Sequence, residues 1–486
     1  MIFMQLLNKY ICDPTHKFFT RIAILYCCVA LSCNKLVEAP HPVNTITTEQ
    51  AFIDSASAES AISGIYSAIG NSNGNASFAT GTITTTTGLY SDELIYFYNS
   101  ETFRQFYSNR LLADNDIIFI HLWKWPYQYI YQINSSLEAL NAAAQLSVTQ
   151  KNKLISECKF LRAFCYFYLT NLFGSIPYIA TGDWRVSQSI PNISQSEVYI
   201  HILRDLQESI QGLPDDYQMY NNEKVRATRY AAYALLTRVY LFQRKWTDAV
   251  QAANKIINQT NIFDLEENLN DVFKKNSKES ILQWFGHPNY APHNATIEGA
   301  TFVPYSETQP PFYHLSESLL GAFQPNDNRK NTWTKSTTYE AKTYFFPFKY
   351  KVGPAESRPG IPPTEYYTVF RLAEILLIRA EANANLNNIT ESRTDINKIR
   401  RRSGLEELSF QTQNDAVIAV RQERRCELFA EWGHRWFDLK RSDSFNEQMQ
   451  IISQAKGATW KTTAALYPIP IAELRKNPFL RQNPGY

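Results

Sequence analysis

The chain lacks the signatures that would name a reaction. It has no G-x-S-x-G elbow, no phosphate-binding glycine loop, no H-E-x-x-H and no C-x-x-C. It has no charge excess of either sign: 48 Lys and Arg against 46 Asp and Glu leave a formal net charge of +2. That balance argues against a nucleic-acid surface, which wants a basic excess. It also lacks a long apolar run. The stretch Ile22–Ser32 is about half of the ~20 residues that a membrane span needs. His287 and His293 share one loop but bring no third ligand, so neither a metal nor a cofactor is expected.

The short apolar run has another reading. Lys9, Lys17 and Arg21 precede it, and Ser32-Cys33 ends it. A basic start, a short apolar core and a small residue before the cut describe a secretory signal. A cysteine directly after the small residue narrows this to a bacterial lipoprotein signal over 1–32, with Cys33 lipidated. Ala30 stands where such signals usually carry Leu. Asn34–Ile46, with Pro40 and Pro42, then reads as an extended tether. Of seven cysteines, Cys158, Cys165 and Cys426 remain in the body. The first two are seven apart on a helical pattern, about 10 Å along the axis and too far for a disulfide. Either is free on sequence grounds to meet Cys426, and the expectation is three buried, unpaired thiols.

Helical spacing dominates the body. Thr47–Gly70, Leu122–Ala143, Gln150–Phe173, Ser196–Leu213, Arg226–Arg244 and Thr247–Ile257 all read as helices, whereas Asn71–Gly88 reads as loop. Two segments say more. Arg226–Ile257 is alanine-rich, turns at Trp246 and opens a second helix; Leu372–Arg402 repeats that scheme. Small residues let two helices approach closely, which is the logic of a tetratricopeptide-like hairpin. The fold expected is mainly α: a tetratricopeptide-like helical-hairpin scaffold, an α-α superhelix with short β segments. Between the hairpins, 263–363 is irregular and dense in Pro, Asn, Tyr, Phe and Thr, with β-like runs at Ser280–Phe285 and Tyr344–Tyr350. Such a segment is expected to pack on the scaffold and carry recognition.

Aromatic content is 14%, and tyrosine on loops suits carbohydrate or peptide sites. The ligand-binding candidates are the aromatics that fall on expected loops: Tyr90, Tyr96, Tyr98, Trp284, Tyr290, Tyr305, Tyr313 and Trp333. Asp92, Asn99, Asn289 and Arg329 stand beside them to bond hydroxyls.

Arg421–Arg441 concentrates charge. Glu423, Glu427 and Glu431 recur every four residues, with Arg424 and Arg435 among them. A pair of acids could serve glycoside hydrolysis, but interleaved arginines neutralise them. The expectation is a structural ion-pair network of Arg371, Glu374, Glu381, Glu423, Arg424, Glu427 and Arg435, with no catalytic residue.

This block and others in order resemble the SusD/RagB family of Bacteroidetes outer-membrane lipoproteins. The carrying residues are Ser32-Cys33, Ala61–Tyr66, Ser91-Asp92-Glu93, Trp123 to Asn134, Glu157–Phe173, Arg226–Trp246, Leu319–Arg329, Phe370–Ala382, Arg421–Arg441 and the tail from Tyr467 to Asn483-Pro484-Gly485-Tyr486. The resemblance implies four tetratricopeptide-like helix pairs and an irregular, loop-rich, ligand-facing half. It divides the chain into 1–32 signal, 33–46 tether, 47–260 helical region and 261–486 C-terminal region, the last made of irregular 263–363, helical 364–441 and a tail. It implies a lipid-anchored, surface-exposed outer-membrane protein that is not an enzyme. Its ligand would be an oligosaccharide or a peptide, and its partner a SusC-like TonB-dependent transporter. The competing classes are a tetratricopeptide-type protein adaptor and a cell-surface glycoside hydrolase.

Overall fold

The structure, a computed structural model, describes residues 51–71 and 77–486. The expectations for Cys33, the signal and the tether lie outside those residues, as do the first residues of the helix expected from Thr47.

Ala51 is helical, residues 52–54 interrupt the helix, and α1 (Ser55–Asn71) follows. Asp54 sets that start: its Oδ1 accepts from the Ser57 N–H at 2.8 Å. The polar stretch read as a loop is a correction. Phe78–Thr82 forms a kinked turn in which Thr80 and Gly81 leave helical backbone, Gly81 at φ 109°, and α2 (Ile83–Tyr90) follows, buried throughout. The cause lies in the threonines. Thr85, Thr86 and Thr87 each return a hydroxyl to a carbonyl one turn back, at 3.1, 2.6 and 2.6 Å. A hydroxyl satisfied on its own helix can be buried at little cost.

The scaffold runs through α3 (Glu101–Tyr107), α4 (Trp125–Ala142), α5 (Val148–Phe173), α6 (Gln195–Gly212), α7 (Arg229–Phe242) and α8 (Trp246–Ile257). Helix α5 is the spine. Every side chain from Phe160 to Phe173 is buried, and α4 and α6 flank it. Its polar members are matched: Arg162 donates to Asp205 at 2.7 and 2.8 Å and to Asn134 at 2.9 Å. Caps fix the ends. Ser147 accepts from the Gln150 N–H, and Ser194 with Glu197 forms a capping box at α6. Gly174 closes α5 at φ 73°, where a Cβ would stand 2.9 Å from Leu466.

The two alanine-rich hairpins form as expected. Between α7 and α8, Arg244 turns the chain at φ 55°; between α9 (Leu372–Asn385) and α10 (Ile389–Arg402), Asn387 does so at φ 61°. Buried Ala231, Ala249, Ala253, Ala380 and Ala384 leave the helix pairs close. Trp246 and Leu241 of the first hairpin pack on Ile378 and Ala382 of the second. This is the tetratricopeptide-like hairpin scaffold, and α11 (Gln413–Glu427) continues it against α9. Two shorter helices, α12 (His434–Lys440) and α13 (Phe445–Ala455), follow.

The irregular segment is ordered by distant strand pairing. β1 (Leu94–Tyr96) pairs with β3 (Tyr313–Leu315), and β2 (Ser280–Trp284) with β6 (Tyr367–Arg371). β4 (Thr334–Tyr339) and β5 (Lys342–Pro347) form a hairpin. All are antiparallel. The chain end docks on the spine: Asn483 Nδ2 donates to the carbonyls of Phe173 and Tyr467 at 2.7 Å, and the Tyr486 hydroxyl to Leu466 O at 2.8 Å.

Candidate functional site

Strand alternation builds an aromatic surface where β1, β3 and the β4–β5 hairpin meet. The Phe97 N–H donates to Phe312 O at 2.9 Å, extending the β1–β3 pairing past its ends. On one face the rings stack in depth. Buried Tyr313 lies 5.1 Å from half-buried Tyr96, which lies 6.1 Å from Tyr98. Tyr98 is 45% exposed and Phe312 beside it 50%, their rings 5.3 Å apart. Phe97 turns the other way, 5.8 and 5.3 Å from Tyr339 and Tyr344 of the hairpin. Each such pair contributes about 0.5–1.5 kcal/mol beyond burial, so the platform is held stiff before any ligand arrives.

Polar groups edge these rings. Asn99 is exposed one residue beyond Tyr98. Lys342 Nζ sits 5.0 Å over the Tyr344 ring, and the His314 ring lies 5.2 Å from it. Burial pushes His314 below its ordinary pKa, so near pH 7 it is neutral, with one donor and one acceptor. The hairpin turn is Glu340-Ala341, at φ 50° and 61°. Left-handed backbone at non-glycine residues costs on the order of 1–3 kcal/mol each and persists where surroundings enforce it.

The charged block forms a second, wholly internal constellation. Arg371 Nη1 lies 2.7 Å from Glu279 and 2.6 Å from Glu427, and its Nη2 2.8 Å from Glu431. Arg329 Nη1 lies 2.6 Å from Glu423 and 3.0 Å from Glu427, and its Nη2 2.8 Å from Asp327. Arg400 reaches Glu423; Arg402 reaches Glu279 and Glu427; Lys349 reaches Glu431. Cations and acids therefore balance, and every side chain in the cluster is buried. Burial would raise the carboxyl of Glu427, yet Arg402, Arg371 and Arg329 outweigh it and hold the group well below its usual range. Glu374 and Glu381 sit apart from this cluster. Glu374 pairs with Arg238 at 2.7 Å; Glu381 pairs with Arg441 and lies 3.7 Å from Arg424. Arg435 holds Asp92 at 2.6 Å.

One detail departs from the expected helix face. Helix α11 ends at Glu427, and Ala430, Trp432 and Gly433 take φ of 49°, 48° and 73°. This left-handed turn carries Glu431 back to Arg371 and Lys349. Helix α2 stabilises it: the Trp432 N–H donates to Thr84 Oγ1 at 3.0 Å, and a Cβ on Gly433 would meet Thr87 Oγ1 at 2.5 Å.

Two family models match separate stretches of the chain. The model of the SusD family matches residues 293–486, and a second, described as starch-binding associating with outer membrane, matches 44–241. The chain belongs to the SusD family. A SusD-like protein P2 of Formosa agariphila is 25% identical over 511 aligned positions, covering 94% of this chain and 97% of its own. A SusD superfamily protein of Bacteroides vulgatus superposes with a TM-score of 0.76 at 20% identity, covering 90% of this chain and all of its own. Surface glycan-binding protein A of Bacteroides fluxus gives 0.74 at 21%, covering 89% and 99%. These two structures establish the SusD fold.

Within that fold the ligand candidates separate. Tyr96, Tyr98 and Tyr313 come together, and Phe97, Phe312, Tyr339 and Tyr344 join them unforeseen. Tyr305, 65% exposed, lies in the loop that Glu307 ties to Thr337. Tyr290 and Asn289 are exposed on another loop, where the His287 ring lies 4.7 Å from Tyr290. Among the described residues no group of three His, Cys, Asp or Glu side chains is set to hold a metal ion. The rest are corrections of placement. Trp284 closes β2 inside the core, 5.6 Å from Phe164. Trp333 is fully buried and donates its indole N–H to Leu269 O at 3.0 Å. Tyr90 packs 4.8 Å from Trp436 and donates to Ala464 O. Arg329 and Asp92 are taken up by ion pairs. None of these five offers a face to a ligand at the surface.

Proposed function

We propose that this SusD-family protein captures oligosaccharides at the outer membrane and passes them to a SusC-like TonB-dependent transporter. The observation that carries the reading is the aromatic platform. Tyr98 and Phe312 are half exposed with their rings 5.3 Å apart, Tyr96 packs behind Tyr98 and Tyr313 behind Tyr96, Asn99 is exposed next in sequence, and His314 lies beside Tyr344. Sugar rings stack on flat aromatic faces through their C–H faces while hydroxyls bond polar groups alongside. Membership of a family with a model described as starch-binding supports the same class, as does the fold shared with a protein named for surface glycan binding. Tyr290 and Tyr305 are proposed as outlying contacts for a longer chain. The lipid on Cys33 and the transporter partner rest on the signal-like N-terminus and on the family.

Isothermal titration against a panel of polysaccharides tests the platform. Tyr98→Ala is expected to weaken glycan binding about tenfold, about 1.4 kcal/mol, as removal of an interface aromatic does. The melting temperature should fall by no more than a few degrees, the share of the lost ring pairs, because Tyr98 is half exposed. Binding of peptides with no response to any glycan would overturn the ligand class. Co-purification without a β-barrel transporter would overturn the partner.

A further inference from the structure

Behind the platform, Glu93 precedes β1 and opens onto a cavity of about 270 Å3. Its charged lining is Arg421, Arg424 and Arg425 of α11, Arg435 and Asp438 of α12, and Glu93 itself. The arginines outnumber the acids, and their donors are incompletely used. Arg424 is 1% exposed; its Nε and Nη2 donate to Asp438 at 2.7 and 3.0 Å, while Nη1 has no acceptor among the described residues. Arg425 gives Nη2 to Asp92 and Ser318 at 2.7 Å, and its buried Nε has no acceptor. Glu93 is 2% exposed, and its Oε1 is likewise unmatched. Around Glu93 stand Asp92, Arg435 and Lys349; burial first, then the Asp92 charge, pushes its carboxyl up to about 8. Glu93 therefore carries a proton at neutral pH, and the unmatched groups on this cavity act as donors. Buried donors without acceptors are costly, and several on one positive cavity call for a ligand rich in acceptors.

We propose that this cavity binds a small oxyanion, the carboxylate or sulfate group of an acidic sugar or of a free ion. Guanidinium groups match the planar and tetrahedral oxygens of such anions. The site rests on these side chains and not on the reading of the platform, and Arg425 and Arg435 also hold Asp92, two residues before β1.

The test uses the full chain at fixed ionic strength, balanced with sodium chloride so that screening is equal. Sodium sulfate and sodium glucuronate are expected to raise the melting temperature and to titrate at about millimolar concentration, while glucose does neither. Arg421 is half-buried and takes no part in the ion pairs above, so its variants should fold. Arg421→Ala should weaken anion binding about tenfold, and Arg421→Lys should restore much of it. An effect that chloride reproduces, or one equal in Arg421→Ala, overturns the proposal. An oligosaccharide bearing a uronate separates the sources. Affinity lost with both Tyr98→Ala and Arg421→Ala assigns the anion to a glycan on the platform; sulfate affinity lost with Arg421→Ala alone assigns it to a free ion.

Discussion

Replacing Glu427 by Gln separates a structural carboxylate from a catalytic one. In the native cluster Glu427 Oε1 accepts from Arg371 and Arg402, and Oε2 from Arg329, with no part of the side chain exposed. Glutamine keeps the volume, removes one negative charge and turns an amide N–H toward guanidinium donors. The balanced cluster is then left with one uncompensated positive charge out of water. Removing one partner of a buried pair costs about 3–5 kcal/mol. Unfolding entropy of about 2.1 cal/mol/K per residue, over roughly 430 described residues, amounts to about 0.9 kcal/mol/K. The expected fall in melting temperature is therefore about 3–6 °C by calorimetry. The sign with pH follows. The folded-state pKa of Glu427 is depressed, so its contribution is present above the ordinary carboxylate range and is lost on acidification. The gap between native and Glu427→Gln should shrink below about pH 4.5. A companion Arg402→Met on the Glu427→Gln background restores neutrality and should recover part of the loss. If Glu427→Gln melts within about 1 °C of the native protein and abolishes a hydrolytic activity, the reasoning is refuted and the acid is catalytic.

Three further outcomes are expected. Glu298 is buried, accepts from the Tyr367 hydroxyl at 2.8 Å, and burial pushes its carboxyl up to about 8. A raised folded-state pKa means that stability falls as pH rises toward 8, so Glu298→Gln should reduce the loss between pH 7 and 9 by about 1.4 kcal/mol in urea titrations. Cys158, Cys165 and Cys426 are buried and unpaired, and burial pushes the Cys426 thiol up to about 12. A thiol reagent should leave all three untouched until the protein is unfolded, and reaction in the folded state would contradict their burial. Mass spectrometry of the mature protein should find acylated Cys33 at the N-terminus; an unmodified residue elsewhere would remove the anchor.

What the sequence made legible was local. Alanine spacing in Arg226–Ile257 and Leu372–Arg402 marked both clear hairpins, because a helix face repeats within a few residues. What stayed hidden depended on distant partners. Trp284 and Trp333 looked like loop aromatics because nothing near them announces that β2 pairs with β6 some ninety residues away, or that the Leu269 carbonyl accepts from the Trp333 indole.

 The hairpin at Glu340-Ala341 carries no Asn-Gly signal, so β4 was not foreseen and Tyr339 and Tyr344 were missed as parts of the platform. Phe97 and Phe312 were missed for a different reason: beside tyrosines a phenylalanine reads as core, and only the β1–β3 pairing brings Phe312 out beside Tyr98.

The ion-pair cluster shows how the two halves of the chain depend on each other. Arg371, Arg400, Arg402, Glu423, Glu427 and Glu431 belong to the scaffold side, and among themselves these three cations and three acids balance. Glu279, Asp327, Arg329 and Lys349 come from the irregular segment and also balance. Neither set is satisfied alone, because Arg371 needs Glu279 and Glu423 needs Arg329. Directional, buried charge pairs add an orientational constraint to the apolar packing between the two sets. The irregular half thus holds a fixed position on the scaffold, and that fixes β1, β3 and the hairpin beneath the rings of the platform. Arg329 was misread as a ligand residue for this reason: its chemistry is recognition, but what it recognises is the protein's own helix α11.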